Sequence, residues 1–246
     1  MGIITAIISC ILCGILYVRM IRREVPEPIT KKQAIIPPVL GFFAPFLSTL
    51  LAMLFGVLTL KVLGGPLSEK VSSPFLRSLL SSFLVAGFPE EFVKFLLILL
   101  AVKLVKPKNV YEYALIGAGV GFGFTALEEL LYSGSTLTAL IRLPAFALHM
   151  IMSLIMALFL GLARHFKSRG LPAGKYTFLG LFLPVLWHTV FDASTANSVW
   201  LKAEDDAMNV TGIIIALVVV VISVVLQFVL LWRFKKDTEK YCAMAL

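Results

Sequence analysis

Residues 210–232, VTGIIIALVVVVISVVLQFVLLW, run without a single charged side chain. A helix rising 1.5 Å per residue crosses ~30 Å of hydrocarbon in about that length. Six further apolar blocks, at 3–18, 34–60, 79–102, 111–132, 138–162 and 177–198, are separated by short, mostly basic breaks. The composition agrees: 59% of the 246 residues are hydrophobic and 15% charged, where a soluble domain has about 45–50% and about 25%. No polar stretch is long enough to build a soluble core. The expected fold is all-α, a polytopic bundle of about seven transmembrane helices forming one integral-membrane domain over residues 1–246.

The basic residues set the expected orientation. Sixteen of the 22 Lys and Arg follow blocks 1, 3, 5 and 7, among them Arg22, Arg23, Lys106, Lys108, Arg164, Lys167, Arg233 and Lys236. The opposite side holds Lys61, Lys70, Arg77, Arg142 and Lys202, and Lys94 falls within a block. The positive-inside rule then gives an outside N-terminus and a cytoplasmic C-terminus, in a multi-pass protein of the cell membrane. The net charge of +8 is spread over these flanks rather than gathered in one stripe, which argues against a nucleic-acid partner.

Cys10 and Cys13 form a C-x-x-C inside the first block and lack the second pair or thioredoxin-like context of a metal or redox site. They are expected to pack as small apolar residues. GAGVGFGF in the fourth block lacks the preceding strand of a phosphate loop. Gly119 and Gly123 instead offer a small-xxx-small face for close helix approach. No internal repeat is evident. The segment 61–77 carries glycine and proline and is long enough to be considered as a lid.

Ionisable groups at bilayer depth cost roughly 2.5–3.5 kcal/mol each on insertion scales and are usually functional. Here they fall on four successive blocks: Glu90, Glu91 and Lys94, then Glu128 and Glu129, then His149, then His188 and Asp192. Blocks 1, 2 and 7 carry none in their interiors. One shared polar cavity among blocks 3 to 6 is expected, at mid-depth or in the outer half, with His149 in the middle of its helix. Lys94 lies three and four residues from the two glutamates, within reach of either. Asp192 lies one turn from His188 and can orient its imidazole. Ser153 bears the same spacing to His149. Pro89 and Pro184 should each bend a helix beside this cavity. Simpler readings exist singly: Glu128 and Glu129 at the membrane interface, His149 packed, Lys94 neutralising a glutamate. Four helices carrying such residues together favour function.

The motifs EEFVK (Glu90 to Lys94), FTALE (Phe124 to Glu128), HMIMS (His149 to Ser153) and HTVFD (His188 to Asp192) occur in order, each on its own block. This pattern resembles the PrsW family of intramembrane proteases, itself distantly similar to the CAAX-prenyl-protease and bacteriocin-processing group. In that group the second motif usually ends in histidine, where this chain has Glu128. The resemblance covers about residues 75–200, the expected catalytic helix core. It implies an endopeptidase cutting a single-span membrane protein, with anti-sigma factors as the associated substrates and the extracytoplasmic side as the place of cleavage.

The expected chemistry is amide hydrolysis by activated water. Glu90 is the candidate general base, Glu91 assists, and Lys94 and Asp192 complete the catalytic set. Glu128, His149 and His188 are candidate ligands of a divalent metal, zinc by the nature of the donors. A metal-free variant has Glu90 activate water while the histidines donate to the oxyanion. The rival classes are an ion- or proton-coupled transporter using the same Glu, His and Asp cluster, and a non-catalytic scaffold.

Overall fold

A chain in hydrocarbon must satisfy its backbone N–H and C=O groups internally, and helices do so within one segment. The computed structural model, which describes residues 2–25, 28–63, 65, 70–134, 143–195 and 206–246, resolves accordingly into helices. These are α1 (Gly2–Ile21), α2 (Lys31–Phe42), α3 (Ala44–Leu63), α4 (Pro74–Ser82), α5 (Phe88–Val105), α6 (Val110–Tyr132), α7 (Leu148–Lys167), α8 (Gly174–Ser194), α9 (Asp206–Lys236) and α10 (Thr238–Ala243). Among the described residues there is no strand beyond one isolated bridge between Asn109 and Ala245. The protein is an all-α, multi-pass membrane bundle.

Among the described residues, six stretches are long and apolar enough to cross a membrane: Gly2–Ile21, Lys31–Lys61, Val110–Tyr132, Leu143–Lys167, Gly174–Ser194 and Asn209–Lys236. The seventh expected block, 79–102, is helical too. The four charges of its helix α5, Glu90, Glu91, Lys94 and Lys103, set it apart in composition. Arg142 and Lys202 of the charge pattern lie outside the described residues, as do residues 64 and 66–69 of the segment considered as a lid.

Two blocks are not the single rods expected from sequence. Block 34–60 divides into α2 and α3 at Phe43, whose N–H bonds the Leu40 carbonyl at 3.2 Å. Pro45 follows two residues later and has no N–H to continue the ladder. Block 79–102 contains a π-helical turn, Phe83–Gly87, between α4 and α5. There the Phe88 N–H reaches back five residues to the Phe83 carbonyl. Pro89 comes next; its ring clashes with the carbonyl four residues back and it donates nothing, so the helix admits an extra residue ahead of it.

α6 and α7 form the centre of the bundle, buried along most of their length. α1, α2 and α8 pack around them. Glycine makes this closeness possible. A methyl on Gly119 or Gly123 would collide with α2 at Pro37 and Pro38, as the small-residue face predicts. A second face, unforeseen in the sequence, turns Gly117 and Gly121 toward the backbone of Ser153 and His149 on α7. Cys13 is fully buried in the core, with its thiol against the Phe146 carbonyl at 3.2 Å, while Cys10 is half-buried.

The C-terminal residues close one end of the bundle. Val110 N–H donates to the Met244 carbonyl at 3.1 Å, and Leu246 N–H to that of Lys108 at 3.2 Å. The bundle's opposite end is where α6 and α8 finish and α7 begins.

Candidate active site

All seven residues singled out from the sequence as site residues lie at that opposite end. α5 brings Glu90, Glu91 and Lys94 just after the π-turn. α6 brings Glu128 from its last turns, and α8 brings His188 and Asp192 from its last turns. The expectation that His149 sits mid-helix is corrected. α7 starts at Leu148, so His149 occupies its first turn, after a 3-10 turn at Leu143–Ala145. This shift moves the cluster toward one end of the bundle.

Glu91 and Lys94 are both fully buried and joined at 2.6 Å. Further contacts support the pair through Lys94 Nζ and Glu91 Oε1, while Glu91 Oε2 is buried without a hydrogen-bond partner. The Lys94 ammonium also approaches His149 Nδ1 at 3.2 Å and lies 3.9 Å above the centre of the Phe124 ring. Glu91 Oε1 receives a second contact, from His188 Nδ1 at 2.8 Å. A carboxylate on one imidazole nitrogen places the proton there and leaves the other free to act. The orienting contact expected of Asp192 is therefore made more closely by Glu91; Asp192 Oδ2 stands 3.6 Å from His188 Nε2.

Glu90, the partner of Glu91 in sequence, is held quite differently. Its Oε2 lies 3.6 Å from His188 Nε2 and 4.0 Å from Lys94 Nζ, and makes no hydrogen bond. Its side chain keeps 18% of its exposure, against none for Glu91. Glu128 Oε2 is 2.7 Å from His149 Nε2. The two imidazoles meet edge to face at 5.1 Å. Ser153 Oγ is buried without a hydrogen-bond partner, so its spacing to His149 does not become a bond.

A small cavity of about 20 Å³ opens among His149, His188, Asp192, Glu129, Phe146 and Phe191. That is room for about one water molecule, with polar groups to hold it. Glu129, for which the sequence left an interface position open beside the shared cavity, is buried and lines this cavity. Its adjacency to Glu128 gave no signal of that, because neighbouring residues lie about 100° apart around a helix.

The donors also suit a metal ion. One ligand atom each from Glu90, His149 and His188 lies within 4.8 Å of the others. The Glu90 oxygen is a buried acceptor lacking any partner, the kind of atom a cation would satisfy. Two imidazoles and a carboxylate are the donors of many zinc sites, which keep a further position open. Glu128 was the carboxylate expected from sequence; it adjoins the group through His149 rather than belonging to the three that converge.

A multi-pass helical bundle with a buried glutamate–histidine cluster at one end is the class that fold and site define. Residues 38–231 match the family described as PrsW family intramembrane metalloprotease, and the chain belongs to that family. Protease PrsW of Halalkalibacterium halodurans is 37% identical over 124 residues, 48% of this chain and 56% of that protein. The chain thus spans little more than half the length of this curated relative. No solved structure matches.

Proposed function

We propose that the protein is an intramembrane endopeptidase that hydrolyses a peptide bond of a single-span membrane protein, in the outer half of the bilayer. The observation that carries this reading is the unequal fate of two adjacent glutamates. Glu91 is locked to Lys94 and His188 through Oε1, while Glu90 makes no hydrogen bond from its buried Oε2 beside His188, and its side chain keeps 18% of its exposure. A scaffold needs no such unpaired carboxylate. Membership of a family of intramembrane metalloproteases supports the same class of chemistry. An anti-sigma-factor-like substrate is the finer part of the proposal.

Glu90 is the general base. It takes a proton from water as the oxygen attacks the scissile carbonyl carbon, and returns it to the leaving nitrogen as the C–N bond breaks. Glu91 fixes the His188 tautomer so that Nε2 faces the reacting groups, and Lys94 holds Glu91 and His149 in register. Asp192 supports His188 from the cavity side. His149 and His188 would hold a divalent metal, zinc by the donor set, with Glu128, whose Oε2 meets His149, as the proposed third ligand in place of the converging Glu90, which is kept as base. When bound, such an ion polarises the carbonyl and favours ionisation of water.

Metal content of the purified full-length chain, together with cleavage of a membrane substrate, tests the assignment. Glu90→Gln should abolish cleavage and keep the metal, whereas His188→Ala and Glu128→Gln should lose it. Loss of metal in Glu90→Gln would make Glu90 a ligand and remove it as base. A wild type that cleaves undiminished after exhaustive chelation would leave the glutamate–histidine mechanism without metal.

A further inference from the structure

A second, larger cavity lies behind the cluster, between α7, α8 and α9. Its volume is about 330 Å³ and its wall is almost wholly apolar, with Leu148, Met152, Leu186 and Leu226 among the lining residues. That volume falls at the lower end of small-ligand pockets, roughly 300–1,000 Å³. Leu148 lines both cavities. On α7, Leu148 faces the large cavity and the next residue, His149, the cluster. On α8, Trp187 and His188 divide in the same way.

Two of the lining residues, Trp187 and Gln227, carry a polar atom buried beneath this apolar wall. Trp187 Nε1 and Gln227 Oε1 are both buried and both lack a hydrogen-bond partner. Gln227 is 1% exposed. Its amide nitrogen donates to the Pro144 carbonyl, which fixes the side chain and turns its oxygen away from that bond. One unused donor and one unused acceptor in a hydrocarbon environment are costly unless a ligand supplies the complements. A lipid acyl chain supplies neither. A peptide unit released from helix supplies one of each, and a segment entering hydrolysis must be released, because helical amides are already bonded to one another.

We infer that this cavity is the subsite for an apolar side chain of the substrate near the cleaved bond, with Gln227 and Trp187 pairing with the unwound backbone there. The inference rests on the protease reading above and adds to it the place and chemistry of recognition. Entry is lateral, between α8 and α9. α9 is the least buried of the membrane-spanning stretches, with 11% of its apolar window enclosed.

The test uses the full-length chain carrying Glu90→Gln in lipid vesicles. One probe is a synthetic leucine–alanine single-span peptide with a photoreactive diazirine leucine placed at successive outer positions. The other is a phosphatidylcholine with a diazirine acyl chain. Crosslinks are mapped by mass spectrometry. The peptide should label Met152, Leu186 or Leu226, and Leu226→Trp, which fills the cavity, should cut that labelling roughly tenfold, as expected for an apolar pocket losing its fit. Gln227→Leu should weaken peptide labelling and spare phospholipid labelling. Lipid labelling of α3 serves as the folding control for both variants. Peptide crosslinks scattered over the lipid face and indifferent to Leu226→Trp would overturn the inference, as would phospholipid occupying the cavity undisplaced by peptide. Because labelling needs no hydrolysis, a wild type unable to cleave would defeat the protease reading separately.

Discussion

At the scale of single residues, Glu90 and Glu91 should respond in opposite ways to the same change. Glu91→Gln leaves the Lys94 ammonium buried without its 2.6 Å partner. Breaking a buried pair from one side costs about 3–5 kcal/mol, so this variant should melt well below wild type or fail to accumulate. Glu90→Gln removes no hydrogen bond from Oε2, so its melting temperature should stay close to wild type while cleavage disappears. Thermal unfolding in detergent, read beside cleavage, checks both; equal destabilisation of the two variants would sink the division of roles. The sequence made all these residues legible because charges stand out in apolar runs. It could not tell the twin glutamates apart, since each lies within helical reach of Lys94 and only the position of His188 on another helix decides between them. Glu129 was left between cavity and interface for the same reason: its burial depends on α7 and α8, not on its own neighbours.

At the scale of elements, the site depends on how closely α6 and α7 approach. The Gly121 position meets the backbone of His149 and Met150, with the His149 carbonyl oxygen and Met150 Cα each 2.5 Å from where a methyl carbon would stand. Gly121→Ala must therefore push the first turn of α7 outward, carrying His149 away from Glu128. Overpacking of this kind costs typically 1–3 kcal/mol, and cleavage should fall further than stability does. Gly56 on α3 has open space at the same test, so Gly56→Ala should be neutral within about 0.5 kcal/mol. Melting temperatures and cleavage rates of the pair check this; equal behaviour would mean that the close approach is not what holds His149. The sequence exposed the Gly119 and Gly123 face through its spacing. The π-turn before Pro89 was legible only as a bend, because a proline says that the ladder fails and not how the chain resumes it; the break at Phe43 was not foreseen at all.

At the scale of the whole molecule, the cluster and the C-terminal residues sit at opposite ends of one rigid core. His165, near the end of α7, meets the Ala245 carbonyl at 2.7 Å, and Arg169 reaches the same oxygen. His149 lies four turns away at the start of the same helix, about 24 Å along it at 1.5 Å per residue. Fixing the side of the C-terminus therefore fixes the side of the chemistry. The basic residues that follow α7 and α9 argue for a cytoplasmic C-terminus, and that orientation would put Glu90, His149 and His188 in the outer half. A reporter fused after Leu246 should be active only as a cytoplasmic fusion, and a tag inserted at Gly134, just past α6, should be accessible from outside intact cells. The reversed result would open the cluster toward the cytoplasm. Extracytoplasmic cleavage of an anti-sigma-factor-like substrate would then fail on geometry alone, while hydrolysis by the same residues would survive with substrates entering from the other face.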